Sequence, residues 1–395
     1  MTSCKPVYFE NLDGLRFFAF LAVFISHASL FLGYNNESNL WLGIKKYILI
    51  NGDVGVSFFF VLSGFLITYL LFREKDNHGK ISLKNFYLRR ILRIWPVYFI
   101  TLIVGFFILP IVAKLLLENG SFIFSLTPTF SILPYYLFFL ANFNLAFYGG
   151  GSVPVDVLWS ISVEEQFYLI WPWVIAFLPR KHLLKFLGSI VLVSCIYRYT
   201  YALSPNVIAY STFSVMSDLA IGSMLAFFVY TKNYTAGKIR GAILSIPKKG
   251  IAIIYAVMFL LIFGRHLITD LLIQNNSIGH SIFYNLFVAI LPLILALLFA
   301  FVIFEQNESS KSLFKIGRSK TTTLLGKISY GLYSYHMFAF VIVLLTISSL
   351  GFSLEYTSFF QWLIISLLSL ISVLILAFIS YYGIEKWFLK MKPKD

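Results

Sequence analysis

Residues 11–28 read NLDGLRFFAFLAVFISHA, and this stretch decides the fold because it is an apolar run of membrane-spanning length. Arg16 stands at its start and His27 lies inside its other end. A helix turns about 100° and rises about 1.5 Å per residue, so the two side chains share one face roughly 16 Å apart. An ionisable residue within a membrane is a candidate functional residue. The alternative role for His27 is an interhelical hydrogen bond.

The composition is that of a polytopic membrane protein. The chain is 59% hydrophobic and 12% charged, whereas soluble domains carry about a quarter charged residues. Apolar runs use up the 395 residues, so we expect one membrane domain over 1–395, with short tails at 1–13 and 386–395 and no appended soluble domain. Cys4 and Cys195 cannot form a zinc cage unaided, and no metal is expected.

Ten apolar runs are long enough to span, which predicts an all-α helical bundle. Their approximate bounds are 14–32, 54–72, 95–117, 158–178, 183–203, 210–230, 250–264, 281–304, 328–348 and 359–383. The run 250–264 is short and is expected to use its flanks. A further stretch, 132–148, contains Pro134, Asn142 and Asn144 and either spans or only dips into the membrane.

Basic residues decide between these two topologies. If 132–148 does not cross, 26 of the 31 Lys and Arg residues fall on one side with both tails. Cytoplasmic loops carry the excess of Lys and Arg, so we predict ten spans, both termini cytoplasmic, and 132–148 as a re-entrant or interfacial segment. The net charge of +14 therefore reports topology and does not indicate nucleic-acid binding.

The second span begins with small residues, in the sequence DVGVSFFFVLSGFLIT at 53–68. Gly55, Ser57, Ser63 and Gly64 permit close helix approach. We interpret this motif as a packing surface.

A basic segment precedes the third span, with Arg89, Arg90 and Arg93 close together in NFYLRRILRIWPVY. Interfacial cations are common membrane anchors. Arginines at i and i+3 also suit bidentate binding of phosphate. Both interpretations, anchor and phosphate site, stay open on spacing alone.

Two adjacent carboxylates, Glu164 and Glu165, lie inside the apolar segment LWSISVEEQFYLIWP at 158–172. Helix rise places Glu164 about 9 Å below the outer end of its span, a depth similar to that of His27. A carboxylate beside an imidazole raises its basicity and orients it as a general base. The alternative is a structural carboxylate bonded to Arg or Tyr, which we expect for one of the two glutamates.

Asp13 and His336 are secondary candidates. Asp13 is roughly 21 Å from His27 along a continuous helix, so we expect it to cap the helix or orient Arg16. His336, in the motif SYGLYSYH at 329–336, is interpreted first as a structural residue and alternatively as part of a shared polar cavity.

Taken in order, LDGLR with His27, GVxxFFVLSGFLI, RRxxRIxPxY, WSxSVEEQFYLxWP and SYGLYxxH resemble the bacterial acyltransferase-3 family of integral membrane acyltransferases. The resemblance covers essentially the whole chain. It implies a ten-span domain that moves an acyl group, usually acetyl from cytoplasmic acetyl-CoA, to a hydroxyl of a cell-envelope or exported glycan. It also implies the bacterial inner membrane as the location.

The resemblance assigns roles motif by motif. It implies Arg16 and His27 as an arginine–histidine pair, Arg90 and Arg93 as the basic pair near the donor, and Glu164 or Glu165 as the motif carboxylate. We therefore expect His27, Glu164, Glu165 and Arg16 in catalysis. The cations expected to hold acyl-CoA are Arg16, Arg89, Arg90 and Arg93.

Two departures from the family pattern qualify this assignment. Ser57 stands where the family often has Asp, which removes a carboxylate from that position. Residues 335–338 read YHMF where the family has a Trp-bearing WHxP-like stretch, so His336 is matched in altered surroundings. A transporter or flippase of a glycan or lipid intermediate is the alternative function, and an inactive scaffold of envelope synthesis is a third.

Overall fold

The computed structural model describes residues 9–31, 39–116, 128–231, 234–274, 278–351 and 359–393. Cys4 and Lys394 lie outside these ranges. All regular secondary structure within them is helical, as predicted for an all-α bundle.

The helices, labelled in chain order, are α1 (Glu10–Ala28), α2 (Asn39–Ile44), α3 (Gly52–His78), α4 (Leu83–Ile103), α5 (Leu109–Leu116), α6 (Leu133–Leu137), α7 (Ala141–Tyr148), α8 (Val153–Asp156), α9 (Trp159–Phe177), α10 (Arg180–Thr200), α11 (Pro205–Tyr210), α12 (Thr212–Tyr230), α13 (Tyr234–Ser245), α14 (Lys248–Gln274), α15 (Ile278–Glu308), α16 (Lys320–Lys327), α17 (Ser329–Ser349), α18 (Phe359–Ser380) and α19 (Lys386–Lys390). Three π-helical turns, Lys45–Leu49, Val104–Ile108 and Tyr381–Glu385, follow α2, α4 and α18. Three 3₁₀ turns, Ser29–Phe31, Phe130–Ile132 and Ile316–Arg318, precede or follow other helices.

Among the described residues, eight helices are long and apolar enough to cross a membrane. They are Trp41–His78, Leu83–Leu115, Arg180–Thr200, Pro205–Tyr230, Lys248–Ile273, Ile282–Glu308, Ser329–Ser349 and Phe359–Lys390. The short run 250–264 does extend into its flanks. The other two predicted spans, 14–32 and 158–178, form α1 and α9, each of 19 residues. These two helices carry ionisable side chains inside their apolar sequences, and their crossing of the membrane stays a prediction.

The stretch 132–148 forms two short helices, α6 and α7, in place of one spanning helix. Phe139 lies between them with a φ of 55°, in the left-handed region. The Nε2 atom of Gln166 donates to the carbonyl of Phe139 at 2.8 Å, and Asn142 Nδ2 donates to Thr212 Oγ1 at 2.9 Å. Protein groups thus satisfy the break, which is what irregular backbone at membrane depth requires.

The centre of the bundle is α3, which packs against α1, α9 and α12. A Cβ atom on Gly64 would overlap the carbonyl of Leu219 on α12, and a Cβ on Gly222 would overlap the carbonyl of Val61. Gly55 meets the backbone of Ala19 on α1 in the same way. The glycines therefore allow backbone contact between helices, as the small-residue motif indicates.

Candidate active site

The side chains of His27 and His336 meet between α1 and α17. Nδ1 of His27 lies 3.0 Å from Nε2 of His336, and the ring centroids are 4.9 Å apart. The ring of His336 is fully buried, and Phe20 packs edge-to-face against it at 6.1 Å. The two imidazoles form a directly bonded pair in apolar surroundings.

Hydrogen-bond partners assign the tautomers of this pair. Nδ1 of His336 lies 2.5 Å from the backbone carbonyl of Tyr333, which can only accept, so this Nδ1 carries the proton. In a neutral ring, Nε2 of His336 is then an acceptor, and Nδ1–H of His27 donates to it. The remaining nitrogen of His27, Nε2, keeps a lone pair. The chain of bonds therefore leaves His27 with one basic nitrogen, which a general base or a nucleophile needs.

The glutamates lie elsewhere than the depth comparison predicted. Glu164 interacts with Ser63 and Tyr168 and lies in the field of Arg16 and Arg93. The position bonded to His27 is taken by His336. The physical reason is that equal depth along two helices says nothing about their positions around the bundle. Glu164 is accordingly grouped with the foot of α1 and not with its histidine.

Glu165 accepts a hydrogen bond from Trp95 Nε1 at 3.1 Å, while its Oε1 atom is buried without a hydrogen-bond partner. One glutamate thus contacts the arginine-lined cavity described next, and the other holds α4 against α9. The catalytic roles of both stay predictions.

An inner cavity of about 150 Å³ lies between α1, α3, α4, α9 and α17. Its ionisable lining is Arg16, Arg90, Arg93, Glu164, Tyr168 and Tyr333. Tyr333 connects it to the histidine pair, because its ring lies 5.6 Å from that of His336 and its hydroxyl bonds Ser160 at 2.7 Å. The cavity therefore extends from the arginines toward His336.

The predicted cations occupy three different settings. Arg16 bonds Asp13 at 2.8 Å, the orienting contact expected from their spacing. Arg89 is 2.8 Å from Glu74 and does not line the inner cavity. The guanidinium of Arg90 lies over the rings of Phe86 and Tyr168, at 5.7 and 5.8 Å.

The Nε atom of Arg90 is buried without a hydrogen-bond partner, and Arg93 is exposed. Arg90 and Arg93 are thus free to bind an anion in a way that Arg89 is not.

A second cavity, the vestibule, has a volume of about 340 Å³ and shares Arg16, Arg93 and Tyr330 with the inner cavity. Its remaining ionisable lining is Asp13, Lys327, Tyr381, Glu385 and Lys392. The two cavities form one path that begins at the end of the bundle where α4 starts, here called the arginine end.

A third cavity, the opposite cavity, has a volume of about 310 Å³ and lies at the other end of α3. There Ser57 Oγ donates to Asp218 of α12 at 2.6 Å. The carboxylate absent at position 57 is therefore supplied by a neighbouring helix. Asp53 and Arg265, which form an ion pair, also line this cavity, as does Trp159.

Sequence reasoning did not find Asp218, Lys392 or the partnership of His336. The signal for Asp218 was available, since it is an acid inside the apolar run 210–230. Lys392 sits in a short basic tail that looks like any other. Within the described parts of the chain, no group of three or more His, Cys, Asp or Glu could hold a metal ion.

Comparison with known proteins adds a family to this geometry. A family model described as "Acyltransferase domain" matches residues 9–382. The peptidoglycan O-acetyltransferase OatA of Listeria monocytogenes is 29% identical over 344 residues, which are 83% of this chain and 49% of that protein. The O-acetyltransferase OatA of Staphylococcus aureus is 28% identical over 350 residues, 84% of this chain and 50% of that protein. The chain thus spans about half the length of these relatives. No solved structure matches it.

Proposed function

The chain belongs to the acyltransferase family whose model covers residues 9–382, and from this premise we propose that it is a membrane O-acyltransferase. It moves an acyl group, acetyl in the simplest case, from acyl-CoA to a hydroxyl of a cell-surface or exported glycan. A glycan acceptor is supported by the matched relative named as a peptidoglycan O-acetyltransferase. The chain lies in the bacterial cytoplasmic membrane with both termini in the cytoplasm, which is the side of the arginine end and of acyl-CoA.

One observation carries this proposal: a basic cavity leads from the arginine end to Tyr333, beside a histidine whose Nε2 is free to accept a proton. CoA is an extended molecule with phosphates at one end and a thioester at the other. A path with cations at its mouth and a base at its depth suits that shape. A transporter or flippase has no need of this coupling.

In the proposed mechanism, His27 Nε2 removes the proton of the acceptor hydroxyl as its oxygen attacks the thioester carbonyl. The C–S bond then breaks, and the departing thiolate takes up the proton from His27. Arg16 stabilises negative charge on the donor or on the tetrahedral oxygen. In the alternative sequence His27 Nε2 attacks first, and the acyl group rests on the ring before the hydroxyl removes it.

The function is tested with purified protein in liposomes, given acetyl-labelled acetyl-CoA and candidate glycans. We expect free CoA to be released in proportion to alkali-labile acetyl on the glycan, as an ester requires. Movement of labelled glycan across the bilayer without release of CoA would assign a transporter instead. A scaffold would do neither.

The donor site is tested by replacing Arg90 and Arg93 together with alanine. Charge-assisted hydrogen bonds to phosphate are worth about 1.5 to 3 kcal/mol each, so CoA affinity should fall at least tenfold, measured by titration of purified protein. Lysine at either position should restore part of it, because an ammonium cannot form the planar fork of a guanidinium. Arg89, already paired with Glu74, is the matched control. Equal affinity in the double variant and the parent would make these arginines membrane anchors.

A further inference from the structure

The vestibule contains more positive charge than its own acids neutralise. Of its two carboxylates, Asp13 is bonded to Arg16, and Glu385 accepts from Ser380 at 3.1 Å on the vestibule wall. Arg93, Lys327 and Lys392 form no ion pair within the described residues. Three cations that converge on one cavity without counter-ions indicate a site for an anion.

The arrangement of the cations along the path has an order. Arg90 lines only the inner cavity, Arg93 lines both cavities, and Lys327 and Lys392 line only the vestibule. The groups of CoA have a matching order: thioester and pantetheine, then the diphosphate, then the ribose 3′-phosphate. With the thioester directed toward His27, the 3′-phosphate is the group that remains at the outer end of the path.

We propose that the vestibule binds the 3′-phosphate of CoA through Lys392, Lys327 and Arg93. This inference rests on the CoA donor of the proposed function. It assigns a binding role to the segment after α19, which supplies Lys392 and Leu389 to the vestibule wall. The segment then closes over the nucleotide end of the donor.

The charge state of Lys392 supports a phosphate at this position. Burial, followed by the charges of Arg93, Arg90 and Arg89, lowers the pKa of its ammonium to about 7. The other ionisable groups that line the vestibule around it are Asp13, Arg16, Lys327, Tyr330, Tyr381 and Glu385. A phosphate dianion beside Lys392 opposes both effects and holds the ammonium in its charged form.

The experiment compares CoA with 3′-dephospho-CoA, which differ only in the proposed ligand group. The parent, Lys392→Gln and Lys390→Gln are reconstituted in nanodiscs of phosphatidylcholine and titrated with each compound. Lys390 is exposed and does not line the vestibule, so it is the matched control. We expect Lys392→Gln to weaken CoA binding about fivefold to tenfold, with 3′-dephospho-CoA and the control unaffected.

The pH dependence provides a second readout with a definite sign. Lys392 is charged below its pKa, so the CoA affinity of the parent should be higher at pH 6.5 than at pH 8. The Lys392→Gln protein should lack this difference, whereas a purely structural lysine would leave it unchanged.

The remaining outcomes separate the inference from its premise. Equal weakening of both compounds would assign Lys392 to another phosphate and overturn the inference. An unchanged CoA affinity in phosphatidylcholine, with a lysine effect confined to phosphatidylglycerol nanodiscs, would assign a lipid headgroup and also overturn it. Failure of the parent protein to bind either compound would instead remove the CoA donor of the proposed function.

Discussion

Replacing His27 by alanine is expected to lower acyl transfer at least a hundredfold while the protein still folds. A general base contributes about a hundredfold to ten-thousandfold, and the only other consequence is that Nε2 of His336 loses its donor. The measurement is glycan acylation in cells at matched abundance in the membrane, together with CoA release by purified protein. CoA affinity should stay near that of the parent, because His27 does not line either donor cavity.

The decisive variant at this position is His27→Gln. Glutamine retains much of the size and can donate to His336, but its amide cannot take up a proton near neutral pH. If His27 is the base, the glutamine protein should be nearly as inactive as the alanine protein. His182→Gln is the control, since His182 is exposed near the start of α10. An active His27→Gln protein would exclude this mechanism.

The second large effect is expected at His336, which acts through His27 as a positioning residue. Replacement by leucine removes the acceptor for Nδ1–H of His27, so the ring is free to rotate and to exchange tautomers. We expect kcat to fall about a hundredfold, the order of loss that accompanies small misplacement of a catalytic group. The KM for acyl-CoA should change little, because the phosphates bind at the arginine end.

His336→Gln distinguishes positioning from packing. The Oε1 atom of glutamine can accept from His27 Nδ1, so activity should recover well above that of the leucine variant, in contrast to the result at His27. The pH dependence of kcat should also shift in the leucine variant, because the hydrogen bond to His336 tunes the basicity of His27. Equal activity of the leucine and glutamine variants, with an unshifted pH profile, would reduce His336 to a packing role.

Sequence patterns predicted the helices of this protein well. Apolar runs of spanning length identify membrane helices because the bilayer core demands about 20 apolar residues. The break in 132–148 was also predictable, since Pro134 interrupts the run and basic residues would be misplaced by a crossing. The local pair of Asp13 and Arg16 followed from spacing within one helix.

The partnerships between distant helices were not predictable in the same way. The depth of Glu164 suggested contact with His27, yet the angle of each helix around α3 decides which side chains meet. His336 lies 309 positions from His27 in the sequence, and its own motif carries no sign of which helix faces it. The contacts of Ser57 with Asp218 depend on α3 and α12 approaching at Gly64 and Gly222. Such contacts require the three-dimensional packing.

The inner and opposite cavities share Val56 and Phe60, and this thin wall has an electrical consequence. Water and ions in polar cavities bring each bulk potential close to the wall, so the membrane voltage drops over one layer of side chains and not over the full bilayer of about 30 Å. An elementary charge that crosses the entire drop gains about 2.3 kcal/mol per 100 mV. A proton that moves between an acceptor hydroxyl and His27 near this wall is therefore subject to a concentrated electric field. The rate of the reaction becomes coupled to the energised state of the membrane.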